Sequence, residues 1–193
     1  MGLTIKRKED KRVVHACTHN LADIPNGVTV KSAELVSGSI LKEGTAIGKG
    51  SDGLYHVEKT ALVVEAVAAS GTSVKIAKGS HFKVGDFVMS AVNGKAYAIT
   101  AIDTTNATYD TVTIGTAIGA IAKDAIIMLA DGEHASSGAA FKFAPKALTG
   151  DSYDVEALSN HLVSAVTIGQ FKESVIPPIN DAILGALKGI VLI

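Results

Sequence analysis

Apolar and polar residues alternate with a period of two along much of the chain. Val28-Thr29-Val30-Lys31-Ser32-Ala33-Glu34-Leu35-Val36 opens the series. Ala61 to Ala69, Ser73 to Ala77, Asp86 to Val92, Lys95 to Ile102 and Tyr109 to Ile114 continue it. Strict alternation places every second side chain on one face, which is the pattern of a half-buried strand. Asp52-Gly53, Asn93-Gly94 and Asp131-Gly132 punctuate the apolar runs and supply the positive φ that tight hairpins need. The reading is mainly β: a compact β-barrel or β-sandwich of short hairpins, with one or two short helices in the C-terminal segment.

Three regions follow. Residues 1–27 are polar, mixed in charge and end at the turn signal Pro25-Asn26-Gly27, so they read as an N-terminal arm. Residues 28–133 read as the β-rich core. Residues 134–193 read as a C-terminal segment packing on that core or on a neighbouring subunit. Within it, 134–150 is loop-like. Asp151 predicts a helix cap, with a helix through about Leu162 and Asp154 in its first turn. Val166 to Lys172 alternates again, and Pro177-Pro178 forces an extended break. Asn180 predicts the cap of a helix over Asp181 to Lys188, ended by Gly189. The closing Ile190-Val191-Leu192-Ile193 is too apolar to be left exposed and predicts a strand buried in a sheet or a subunit interface.

An internal echo has an offset of 41 residues. Leu41-Lys42-Glu43-Gly44 leads to Asp52-Gly53 as Phe82-Lys83-Val84-Gly85 leads to Asn93-Gly94, and the return strands are Tyr55 to Val57 and Ala96 to Ala98. Two similar hairpins stacked in one barrel or sandwich would produce it, and two copies are too few for a solenoid.

Composition narrows the function. Of 193 residues 47% are hydrophobic and 19% charged, which excludes disorder for the bulk of the chain. The net charge of −1 gives no footing for broad, charge-driven binding to nucleic acid or an anionic membrane. The basic cluster Lys6-Arg7-Lys8 with Lys11-Arg12 is diluted by Glu9-Asp10 and reads as a solvated arm. The stretches 112–130 and 175–193 approach membrane length, but Lys123-Asp124, Pro177-Pro178, Asn180-Asp181 and Lys188 interrupt them. No apolar run follows the basic start, so no secretory signal is expected. Cys17 is the single cysteine, so no intramolecular disulfide forms.

Candidate chemistry is sparse. Gly48-Lys49-Gly50-Ser51-Asp52-Gly53 has dinucleotide-fingerprint spacing, but Leu54-Tyr55-His56-Val57 after it favours a strand over the required helix. His15, Cys17 and His19 would share a face on a strand, as metal ligands do, yet lack a fourth ligand nearby. Cys17 carries no local nucleophile signature, and no Gly-x-Ser-x-Gly elbow occurs. Asn106-Ala107-Thr108 matches a glycosylation acceptor, a chance match without a secretory route. The scattered carboxylates Glu34, Glu43, Glu58, Glu65, Asp103 and Asp110 have no spacing that forces two together. The expectation is a building block rather than an enzyme, with no catalytic residue, cofactor or metal. Two alternatives stay open: a receptor- or glycan-binding fibre module using loops 103–109 or 134–140, and an enzyme drawing on His15, Cys17, His19 or His56.

Leu41-Lys42-Glu43-Gly44-Thr45-Ala46-Ile47-Gly48, followed by Gly53-Leu54-Tyr55-His56-Val57, resembles the opening of tailed-bacteriophage head decoration and head fibre proteins. Asn160 to Ile168, then Ile176-Pro177-Pro178 and Ala186 to Leu192, is similar to their closing segment, in which a short helix precedes a last apolar strand. The resemblance spans about a third of the chain and has no counterpart for residues 1–27. It implies a structural virion protein on the capsid exterior, made in the cytoplasm of a bacterial host. The implied partners are the major capsid protein and two further copies in a homotrimer, with neither nucleic acid nor membrane. The family brings no catalytic residues.

Overall fold

The computed structural model describes residues 14–156 and 159–193. In chain order the strands are β1 Cys17–Asp23, β2 Val28–Val30, β3 Ile40–Leu41, β4 Ala46–Lys49, β5 Tyr55–Val57, β6 Thr60–Leu62, β7 Ser73–Ala77 and β8 Phe87–Met89. They continue as β9 Ala96–Asp103, β10 Tyr109–Ile114, β11 Ile126–Ala130, β12 Ala147–Thr149, β13 Tyr153–Asp154, β14 His161–Val163 and β15 Ala165–Phe171. Helix α1 Asp181–Ala186 and strand β16 Ile190–Leu192 close the chain. The protein is mainly β, as its alternation predicts.

The strands make two principal sheets. The first runs β1-β15-β12-β4-β5-β2-β14, with β16 alongside β15. The second runs β6-β11-β8-β9-β10-β7 and curls until its end strands approach, where Val63 bridges Ile76. The chain leaves the first sheet at Val57, builds the second and returns at Ala147. The second unit is thus inserted into the first, and the β-rich region 28–133 divides between them.

Three apolar clusters fill the interior. One lies under the first sheet around Val30, Leu41, Ile47 and Val163. Another fills the curled sheet with Ile76, Val88, Ile99, Val112 and Ile127. The third joins the two units: Met89 and Met128 pack with Phe171, Ile179, Ile183 and Leu187. Here α1 acts as a plug. Asn180 caps it as predicted, its side-chain oxygen accepting from Ile183 N at 3.1 Å, while its amide Nδ2 donates to Met128 Sδ at 3.0 Å. The helix ends at Ala186, short of the predicted Lys188.

The sequence echo is a repeated turn that launches a strand. Thr45 N donates to Lys42 O and Asp86 N to Lys83 O, with Gly44 (φ +80°) and Gly85 (φ +93°) at the third position. Positive φ at that position is what a type II turn requires. A third turn missed in the sequence joins Ala125 N to Ala122 O, with Asp124 (φ +65°) in the glycine role, and launches β11. The two echoed hairpins do not share one sheet: β4–β5 lies in the first and β8–β9 in the second. Their registers differ by one residue, since Ile47 faces Val57 but Val88 faces Tyr97 rather than Ala98.

Two expectations are corrected. Residues 14–27 are not a free arm, because β1 pairs with β15 along its length; residues 1–13 lie outside the described residues. No helix forms over the described part of 151–162. Tyr153 and Val155 turn inward between exposed Ser152, Asp154 and Glu156, a period of two. Tyr153 and Asp154 pair with Leu41 and Ile40, and His161 to Val163 pair with β2. Available strand partners override the helix-cap signal of Asp151. The apolar terminus does form a strand, parallel to β15, but only Ile190 is buried; Val191 and Ile193 face solvent.

Candidate functional site

His15, Cys17 and His19 are not brought together as a ligand set. A register shift between Cys17 and His19 breaks the alternation that would align them. The buried Glu43 carboxylate organises this end of β1 instead, accepting from Ala16 N at 2.9 Å and Cys17 N at 2.8 Å, with His15 Nδ1 at 3.5 Å. Burial first, then the Glu43 charge, pushes the Cys17 thiol up, opposite to what a nucleophile or ligand thiolate needs. Among the described residues no three His, Cys, Asp or Glu side chains gather to hold a metal ion.

The Gly-rich run forms the β4–β5 hairpin, with a packing reason for its glycines. A Cβ on Gly48 would stand 2.4 Å from Ala144 O and 2.6 Å from Phe143 O, and one on Gly50 would stand 2.4 Å from His56 Nε2. Gly48→Ala must therefore displace the returning backbone and should cost about 1–3 kcal/mol; a urea midpoint equal to wild type would refute this packing.

His56 sits buried inside the hairpin as a clasp. Its Nδ1 lies 2.9 Å from Glu34 Oε2 and its Nε2 2.9 Å from Asp52 Oδ1, and the ring stacks on Phe143 at 4.1 Å. His56, with Lys31 second, holds the Asp52 carboxyl far below its ordinary range. Through Glu34 and Asp52 this imidazole ties the 31–38 loop to the hairpin.

The link between the sheets carries two more buried charged residues. Lys59 Nζ donates to Asp86 Oδ2 at 2.7 Å, and Glu58 Oε2 accepts from Phe143 N at 3.1 Å while Oε1 has no partner among the described residues. Burial pushes the Glu58 carboxyl well above its ordinary value. A carboxyl raised in the folded state favours the native protein fully below the unfolded value of 4.5; that contribution fades as pH rises towards the native value. Glu58→Gln should therefore lose less stability than wild type between pH 5 and pH 8 in urea titrations. Parallel profiles for the two proteins would count against an upward shift of the Glu58 carboxyl. Nearby His81 is pushed down to about 4 by burial, with Lys59 second. The adjoining cavity, bordered by Lys42, Lys59, Lys78 and His81, measures about 60 Å3. Small-molecule sites span roughly 300–1,000 Å3, a larger range than this cavity.

The loops considered for ligand binding are closed on themselves. Asp103 Oδ1 accepts from Thr105 N and Oγ1, and Asn106 Oδ1 accepts from Thr108 N and Oγ1. Asp131 Oδ1 takes Ala140 N and faces His134 Nε2, bracing the 134–140 loop. The basic cluster at Lys6 to Arg12 lies outside the described residues.

What remains is surface. Among the described residues the exposed large apolar side chains fall almost wholly on the first unit, with Val84 alone on the second. Ile168 and Gln170 share a face of β15, and Val191 stands opposite Gln170. Ile168 (46% exposed), Val191 (52%) and Ile193 (61%) thus form an apolar strip on the outer face of the first sheet. The alternation of 166–172 marks this strand, but not which of its faces stays uncovered. No helix among the described residues is long and apolar enough to cross a membrane. Comparison with known proteins finds no matching family model, no similar curated protein and no similar solved structure.

Proposed function

We propose that the chain is a structural virion protein, a head decoration or head fibre protein that binds the major capsid protein on the outer surface of a tailed-phage capsid, as a homotrimer. The observation that carries this reading is the apolar strip Ile168–Val191–Ile193, offered to solvent by an ordered sheet. Apolar side chains grouped in water on one β surface support a protein contact there. The resemblance of residues 41–57 and 160–192 to head decoration and head fibre proteins supplies the partner.

The test is co-sedimentation of the purified chain with capsids built from the major capsid protein of the phage or prophage that encodes it. Saturable pelleting with a fixed number of copies per capsid is expected. Pelleting no greater than without capsids would overturn the proposal.

A further inference from the structure

The curled second sheet closes at one point rather than along its length. Val63 bridges Ile76, and Val64 N donates to Lys75 O. Towards Thr60, β6 pairs with β11 alone among the described residues. The cavity of about 60 Å3 lies in this gap, between β6 and residues 77–81.

The walls of the gap are rich in hydrogen-bond donors. Lys59 and Val63 turn their backbone to the β11 side: Leu129 N donates to Lys59 O, and Val63 N to Ala125 O. Antiparallel alternation turns Thr60 N the other way, into the gap, and no backbone carbonyl among the described residues accepts from it. Ser80 and three lysines border the same space. Each ammonium has three donors. Lys59 uses one on Asp86, and Lys78 uses two, on Thr104 O and Asp110 Oδ1. Lys42 forms no ion pair among the described residues. On the acceptor side, Glu58 has Oε2 taken by Phe143 N, and burial opposes its ionisation. After burial, Lys59 and then Lys42 hold down the pKa of His81, the sign of a positive field at the cavity.

We propose that this cavity binds a small inorganic oxyanion of the size of phosphate or sulfate. Lys42, Lys59 and Lys78 supply the charge, and Thr60 N and Ser80 Oγ the directed donors. A single water needs about 10–15 Å3 of such volume, so the space admits an ion of several heavy atoms. The site is separate from the apolar strip and independent of capsid binding.

The experiment titrates the full chain with sodium phosphate at constant ionic strength and follows the backbone amides by heteronuclear NMR. The Thr60 amide is expected to shift saturably at millimolar phosphate, and the melting temperature to rise with phosphate concentration. Lys42→Ala and Ser80→Ala should each fold as wild type and bind about tenfold more weakly. Lys75→Ala removes a positive charge that pairs with Glu65 outside the cavity, and should bind as wild type. No saturable shift at Thr60 would overturn the proposal. So would full affinity in both Lys42→Ala and Ser80→Ala. Equal weakening by Lys75→Ala would show attraction to diffuse charge and overturn it as well.

Discussion

Replacing Phe171 with alanine should destabilise the protein by about 3–5 kcal/mol, the cost of emptying an aromatic core site. Phe171 is fully buried. Its strand is the most connected in the first sheet: Cys17 of β1 lies opposite on one side and Leu192 of β16 on the other. Its ring belongs to the cluster that joins the two units, beside Met128, Ile183 and Leu187. Small domains are stable by only about 5–15 kcal/mol, so the loss would be a large part of the total. Urea denaturation measures it. A loss below about 1 kcal/mol would show that the joint between the units does not depend on this residue.

The second large effect is on binding rather than stability. The double change Ile168→Asp and Val191→Asp alters two exposed positions, so the folded state should keep its stability to within about 0.5 kcal/mol. Capsid binding should weaken at least tenfold, about 1.4 kcal/mol or more, because two carboxylates would have to be desolvated at an apolar contact. A co-sedimentation isotherm read beside a thermal melt separates the two outcomes. Unchanged affinity in a folded double variant would move the contact away from this strip.

Local patterns carried much of the fold into the sequence. Alternation marks β7 to β10, Asn180 marks the start of α1, and the apolar terminus marks β16. Each signal lies within a few residues of what it specifies. Pairing between distant segments left no such mark. β1 finds β15 across about 150 residues, which is why residues 17–23 read as part of an arm. Tyr153 and Val155 already alternate, but Asp151 also offers a helix cap, and only the positions of β3 and β2 decide between them. The 41-residue echo shows that two hairpins exist without showing that they belong to different sheets.

The candidate surface was legible only in part. Val166 to Lys172 announced a strand, and its wet face depends on what packs behind it. Leu21 reads as one more residue of a polar arm, and only its pairing with distant β15 reveals the bulge that leaves it in water. His56 was visible as a histidine beside glycines, but its partners Glu34 and Asp52 converge only through the hairpin. Glu43 gave no sign that it would bind two backbone N–H groups at the start of β1.

Electron cryomicroscopy of virions with and without this chain would locate it. Difference density is expected on the outer capsid surface, at symmetry-related positions, with the strip Ile168–Val191–Ile193 turned towards the shell. Difference density confined to the tail or the capsid interior, or none at all, would contradict it.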